Sequence, residues 1–174
     1  MAMMGGNART TNFLKECLAD GLIKLLETKP IEKITIPEIA QISRVGRTTY
    51  FRNFSSKNEL ITFKLICLWE RWAESHNMKD HRRYSVKNAP EFYAFNFANR
   101  ELLSLIYKRG LQTAIYDAFY SVMAPYDSVD PVECYYIRFY SYALFGLLDE
   151  WIKRDFFESA EEMTEIFERM QLMS

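Results

Sequence analysis

Apolar residues recur at three- and four-residue steps along most of the chain. Phe13, Leu14, Cys17, Leu18, Leu22, Leu25 and Leu26 form the first such series, and their spacing predicts an amphipathic helix over roughly residues 8–28. Lys29-Pro30 closes it, because the residue before a proline is disfavoured in the helical region. Five later segments each open on a capping residue with a Glu three positions on: Thr35…Glu38, Ser56…Glu59, Asn88…Glu91, Asp130…Glu133 and Ser159…Glu162. The capping side chain accepts a hydrogen bond from a free backbone N–H, and the Glu places negative charge near the positive helix end. Pro37, Pro90 and Pro131 fall in first turns, where a missing N–H costs nothing. No alternating strand pattern competes. The pattern predicts an all-α protein of about nine helices, the later eight near 35–42, 46–52, 56–77, 88–99, 101–108, 110–124, 131–154 and 159–172.

The mixed-charge stretch Asn77 to Lys87 reads as the clearest long loop, and no repeat or low-complexity tract stands out. The fourth helix is too long to serve the first three alone. A domain boundary is therefore expected inside it, dividing the chain into residues 1–60 and 61–174. No apolar run reaches the ~18–20 residues that span a bilayer, and Met-Ala-Met-Met-Gly-Gly lacks the features of a secretory signal. A cytoplasmic protein without a membrane partner is expected. Cys17, Cys67 and Cys134 are far apart, which suits reduced core thiols better than a disulfide framework or catalytic nucleophiles.

Charge changes the picture locally. The chain carries a net −1, but residues 1–60 hold nine Lys/Arg against six Asp/Glu, and 61–174 hold thirteen against seventeen. Arg44, Arg47, Arg52 and Lys57 fall in a window with no acid at all. Residues 34–54 read as two short helices joined by a tight turn, with Ile36, Ile39, Ala40, Val45, Tyr50 and Phe54 packing on the first helix. Ala40 is small where the two short helices cross. Gly46 lies where the second begins, and Arg47, Thr48, Thr49 and Asn53 are expected to face away from the core. A helix of this size fits the DNA major groove. Arg47 could reach guanine O6 and N7, while Thr35, Thr49, Arg52 and Lys57 are placed for phosphates.

The run Ile34-Thr-Ile-x-Glu-Ile-Ala, Val45, and Thr49-Tyr-Phe-Arg-Asn-Phe-x-Ser-Lys-x-Glu-Leu60 resembles the N-terminal domain of the TetR family of bacterial transcriptional regulators. The resemblance covers about Arg9 to Leu60. It implies a three-helix DNA-binding domain with a helix-turn-helix, followed by an all-helical domain that dimerises and usually binds a small molecule. By position it assigns Thr35 and Lys57 to phosphates, and Arg47, Thr48, Thr49 and Asn53 to the reading helix. Three residues depart from the family pattern. Arg44 stands where Gly is usual in the turn, Gly46 where Ser is the usual cap, and Phe51 where a phosphate-binding Tyr is common. Either Tyr50 supplies that hydroxyl from a rotated position or the contact is absent.

Residues 61–174 hold most of the aromatic side chains. Trp69, Trp72, Phe92, Phe95, Tyr107, Tyr116, Phe119, Tyr136 and Tyr140 are candidates to line a site for a flat or apolar effector, the alternative being plain core packing. From Cys134 to Leu148 the penultimate helix is apolar on nearly every side, and Ala143 and Gly146 leave room for another backbone. Phe139, Ala143, Gly146, Leu147, Glu150, Ile166, Phe167 and Met170 are therefore the expected dimer interface, as two helices from each copy of a four-helix bundle. The segment Tyr140-x-x-Ala143-x-x-Gly146-Leu-Leu-x-Glu150-Trp151 also resembles the penultimate helix of one C-terminal subgroup of the same family. The reading that results is a sequence-specific, homodimeric repressor on a pseudo-palindromic double-stranded DNA operator, released by a small-molecule effector, with no cofactor, no metal and no catalytic residue. A helical adaptor that no longer reads DNA is the alternative. A small helical enzyme is a weaker one: it would have to use His76, His81 and Asp80, and neither a Gly-rich phosphate loop nor a Gly-x-Ser-x-Gly motif is present.

Overall fold

A computed structural model describes residues 6–171, except 80, 83–84 and 125–129, and among them all regular structure is helical. The nine α-helices are α1 (Gly6–Leu26), α2 (Ile36–Ser43), α3 (Arg47–Asn53), α4 (Lys57–Ser75), α5 (Ala89–Ala98), α6 (Arg100–Lys108), α7 (Gln112–Met123), α8 (Pro131–Lys153) and α9 (Ala160–Gln171). Each end lies within two residues of its expected place, although the expected last residue, 172, is outside the described residues. Two short 3-10 turns, Ile31–Lys33 and Val86–Asn88, were not foreseen, and the second occupies the end of the expected loop.

Side-chain capping explains the starts of α2, α4, α8 and α9. Thr35 and Glu38 form a complete reciprocal box at α2, and Ser159 and Glu162 exchange the same pair of bonds ahead of α9. The Asp130 side chain accepts from Val132 N–H, and Ser56 Oγ accepts from Glu59 N–H. The Glu59 carboxylate, however, reaches back to Ser55 rather than Ser56. The Asn88 cap is a correction. Asn88 already sits in a right-handed helical conformation at the end of the 3-10 turn and makes no capping bond, while Glu91 accepts instead from Trp72 Nε1–H at 3.0 Å.

Four helices stop in the same way, on a residue of positive φ followed by an N–H that bonds back five positions. The left-handed residues are Arg44 (φ 56°), Asn77 (φ 51°), Gly110 (φ 71°) and Asp155 (φ 58°). The returning bonds are Val45 to Ala40, Met78 to Ala73, Leu111 to Ile106 and Phe156 to Trp151, at 2.9–3.1 Å. Such a turn satisfies carbonyls that the helix leaves free. At Arg44 a side chain occupies a conformation that disfavours Cβ by about 1 kcal/mol.

The chain divides into two compact units, Met1–Leu65 and Ile66–Ser174, and the division falls within α4. In the first unit Leu18, Leu22 and Leu26 of α1 are buried with Ile34, Ile39, Val45, Tyr50, Phe54, Leu60 and Ile61. Phe13 departs from its expected place on the apolar stripe and is exposed. Gly21 provides the close crossing of α1 and α2: a Cβ there would lie 3.1 Å from Ser43 Cβ and 3.3 Å from Ile39 O. Ala40, expected where α2 and α3 cross, is half-buried.

In the second unit α5 packs on α9, α7 and α6 on α8, and α6 on α5. Trp151 is the centre of its aromatic core, with ring centroids 5.9 Å from Tyr93, 5.9 Å from Phe97 and 5.0 Å from Phe156. Its Nε1–H donates to Glu158 O at 3.0 Å, so the polar atom of this buried ring is satisfied. Cys134 is exposed, and Cys17 and Cys67 are half-buried, so only the latter two approach the expected core thiols. Substituting Gly21→Leu should overpack the α1–α2 crossing and destabilise the first unit by about 1–3 kcal/mol, read as a lower urea midpoint. An unchanged midpoint would contradict the close approach.

Candidate nucleic-acid interface

The rotation of α3 about its own axis is set by what it buries. Tyr50 points into the first unit with only 4% of its surface exposed, packing against Phe54 with ring centroids 6.0 Å apart. Val45 and Phe54 are buried on either side of the helix. At 3.6 residues per turn Arg47, Phe51, Thr48 and Arg52 follow in angular order over about 140° of arc, away from the arc of Thr49, Asn53 and Tyr50, and all four are exposed. Arg44 is exposed in the preceding turn. Gly46, just ahead of α3, has an extended conformation that any residue adopts, and a Cβ there would meet no atom within 4 Å. The start of the helix is sterically open on that side.

Tyr50 therefore does not rotate outward to replace the hydroxyl missing at position 51. Burial raises its hydroxyl above the ordinary tyrosine value, and the Glu59 carboxylate acts in the same direction. Its expected part at the nucleic-acid surface is withdrawn, because it is an anchor of the core.

Three polar candidates are engaged within the fold. The Thr35 hydroxyl is held by Glu38, accepting from its N–H at 3.4 Å and donating to Oε2 at 2.9 Å. The half-buried Asn53 amide turns back on its own helix, donating from Nδ2 to Thr49 O at 2.7 Å. Lys57 donates from Nζ to Ile34 O at 2.8 Å and also to Ile31 O. Two of the three ammonium donors of Lys57 thus tie the 31–34 turn to the start of α4. Lys57, expected at a phosphate, has a structural contact as well: it holds Ile34 O and shares Ile31 O with Ile34 N–H. Thr49 is half-buried beside Asn53. What faces outward freely is the set Arg44, Arg47, Thr48, Phe51 and Arg52.

The second unit divides its candidate aromatic residues into groups. Trp69 packs edge-on against Phe95 at 5.1 Å, Trp72 against Phe95 at 5.9 Å, and Phe92 against Phe119 at 5.5 Å. Trp69 Nε1–H donates to His81 O at 3.2 Å. Phe92 and Phe95 are buried there, while the two Trp rings are half-buried. Tyr116 belongs to a different stack, 4.4 Å from Tyr142, where its hydroxyl accepts from Arg138 and the Arg138 guanidinium lies 4.1 Å over Tyr120. Tyr136 and Tyr140 pair at 4.4 Å on the outer side of α8, and Tyr107 is half-buried on α6.

Helix α8 buries Ile137, Ser141, Leu144, Leu148, Trp151 and Ile152 within its own unit. Its other face exposes Val132, Tyr135, Tyr136, Phe139 and Tyr142, with Phe139 68% exposed. Ala143, Gly146 and Glu150 continue that exposed face, Leu147 is half-buried, and a Cβ at Gly146 would meet nothing within 4 Å. On α9 Met170 is exposed and Ile166 half-buried. Phe167 is a correction: it is buried beside Tyr93 at 6.3 Å and so belongs to the core of its own unit.

A family profile described as the transcriptional regulator C-terminal region of the TetR family matches residues 84–172, just over half of the chain. The chain belongs to the TetR family. No curated protein matches it significantly. The matched residues lie in the second unit, whereas the motif of residues 34–60 lies in the first, so the assignment does not depend on α3. Membership makes this protein a transcriptional regulator by family, a class that points away from enzymes. Of the groups an enzyme would need, His76 stacks on Trp72 at 4.2 Å and His81 bonds from Nε2 to Glu70 Oε2 at 2.7 Å. Asp80 lies outside the described residues. No described helix is long and apolar enough to cross a membrane.

The capping box that sets the start of α2 carries its own pH signature. The Lys29 ammonium, then the Thr35 N–H and hydroxyl, hold the Glu38 carboxyl at about 2 against an ordinary 4.5. A carboxyl depressed in the folded state contributes stability above its unfolded value, and this is lost as pH falls through the folded one. The contribution of Glu38 should therefore be complete above about pH 4.5 and vanish towards pH 2. Denaturant midpoints of the wild type and Glu38→Gln should converge over that window; a constant gap would contradict the box.

Proposed function

We propose that this TetR-family protein is a sequence-specific DNA-binding transcriptional regulator, acting as a homodimeric repressor on a pseudo-palindromic operator. The observation that carries the proposal is the outward face of α3. Arg47, Thr48 and Arg52 stand free on a helix anchored by Tyr50, with Arg44 beside them and no acid between Arg44 and Lys57. A local field of this kind attracts phosphates even on a protein of net negative charge. Arg47 reads a guanine edge, while Arg44 and Arg52 hold backbone phosphates and fix the register.

Pairing of two copies would use the exposed face of α8, continued by Met170 of α9. An interface of this kind places two reading helices on one duplex, so that half-site spacing mirrors the dimer axis. The side chains of Trp69 and Trp72 ride on α4, packed against Phe95 of α5. A small apolar or aromatic effector wedged among them would bear directly on the helix that continues into the first unit. A coupling of about 1–3 kcal/mol between the two sites suffices to change operator occupancy strongly. Such a ligand would release the repressor from DNA. The work takes place in the cytoplasm, where the operator is.

Binding to the promoter beside its own gene, measured across a salt titration, tests the reading. Arg47→Ala should lower specific affinity about 5- to 150-fold while leaving thermal unfolding unchanged. Equal affinity for that promoter and for random DNA would defeat sequence-specific recognition. Gly146→Arg places a large cation where the subunit itself has open space. It should convert the dimer to a folded monomer in sedimentation, and an unaltered dimer would remove α8 from the interface.

A further inference from the structure

Phe51 is 69% exposed, yet it occupies the middle of the outward face of α3. Helical geometry puts it about 40° of arc from Arg47 and about 60° from Thr48, between the two groups best placed for base edges. A phenyl ring offers no hydrogen bond to a phosphate or to a polar base edge. Most of the ring lies in water, and its only described ring neighbour is Tyr50, edge-on at 5.4 Å. The polar neighbours that could have competed for the groove floor are drawn away: Asn53 bonds Thr49 O, and Lys57 bonds Ile34 O and Ile31 O.

We infer that Phe51 is a specificity-determining residue that reads the C5-methyl group of a thymine next to the guanine contacted by Arg47. The methyl of thymine is the one apolar group that an ordinary base pair displays in the major groove. Burying it against a ring rewards thymine over cytosine, which has no methyl at C5 and so offers the ring less apolar surface. The position thus contributes base selection, and phosphate anchoring falls to Arg44 and Arg52. The inference rests on the DNA-reading proposal above and adds a named base to it.

Duplexes selected by the full-length protein from a random pool, then resynthesised with deoxyuridine replacing one thymidine at a time, provide the test. At one position in each half-site, loss of the methyl should weaken wild-type binding about fourfold. Phe51→Ala should bind thymidine and deoxyuridine duplexes equally while keeping the preference for guanine at the Arg47 position. Because only the DNA is altered in the first comparison, the result does not depend on how well a variant folds. Phe51→Ser gives an independent check, and the melting temperatures of both variants report their folding. Wild-type indifference to every methyl, in duplexes that the protein still selects, would overturn the inference and leave DNA reading intact. So would a Phe51→Ala protein that discriminates as the wild type does. Should Phe51→Ala change the assembly state and not DNA affinity, the ring serves a protein contact and the inference falls. A pool that yields no enriched sequence overturns DNA reading itself, and the inference with it.

Discussion

Everything proposed for the first unit depends on how α3 is rotated, and that rotation is fixed by a buried tyrosine. A seven-residue helix has too few internal hydrogen bonds to hold itself in water, so its stability comes from tertiary packing. Tyr50 supplies that packing together with Val45 and Phe54. Burying this ring orients Arg47, Phe51, Thr48 and Arg52 as a group, and a shift of one residue in register would turn that arc by about 100°. The same constraint separates the adjacent aromatic residues: position 50 is buried and position 51 is exposed.

Around this anchor the remaining polar groups divide by what the backbone needs. At the 3-10 turn the Lys57 ammonium donates to Ile34 O and also to Ile31 O, which accepts from Ile34 N–H as well. The start of α2 needs acceptors, so Thr35 and Glu38 exchange bonds and Lys29 neutralises the carboxylate. These demands come first because an unpaired buried polar group costs more than an exposed contact returns. The cations left over, Arg44, Arg47 and Arg52, are those with no such backbone duty. Arg44 even tolerates a left-handed conformation to close α2, which leaves its guanidinium at the turn where the two short helices meet.

Much of this was legible before any coordinates. The three- and four-residue apolar steps and the caps placed all nine helices, because both signals act within one or two turns of chain. What local patterns miss is set by distant partners. Nothing near Gly21 signals that α2 passes against it, yet this glycine makes the close crossing of α1 and α2 possible. Lys57 looked like a surface cation because the carbonyls it serves lie more than twenty residues earlier. Asn88 failed as a cap because a 3-10 turn runs straight into α5. Phe13 and Phe167 exchanged their expected surroundings: the first is exposed and the second packs beside Tyr93. A helical wheel shows that a residue is apolar, not which neighbour covers it.

In the second unit, Trp151 and its aromatic neighbours hold one side of α8 to α5 and α9, which frees the other side to present Tyr135, Phe139 and Tyr142. Family membership rests on this unit, and the proposed chemistry of recognition on the other. The most direct measurement is methylation protection of guanine N7 on bound promoter DNA, since N7 opens only into the major groove. The account predicts protected guanines in two patches separated by about one helical turn, or a multiple of it, on one face of the duplex, and loss of those protections with Arg47→Ala. Bound DNA whose guanine N7 atoms all remain reactive would contradict it.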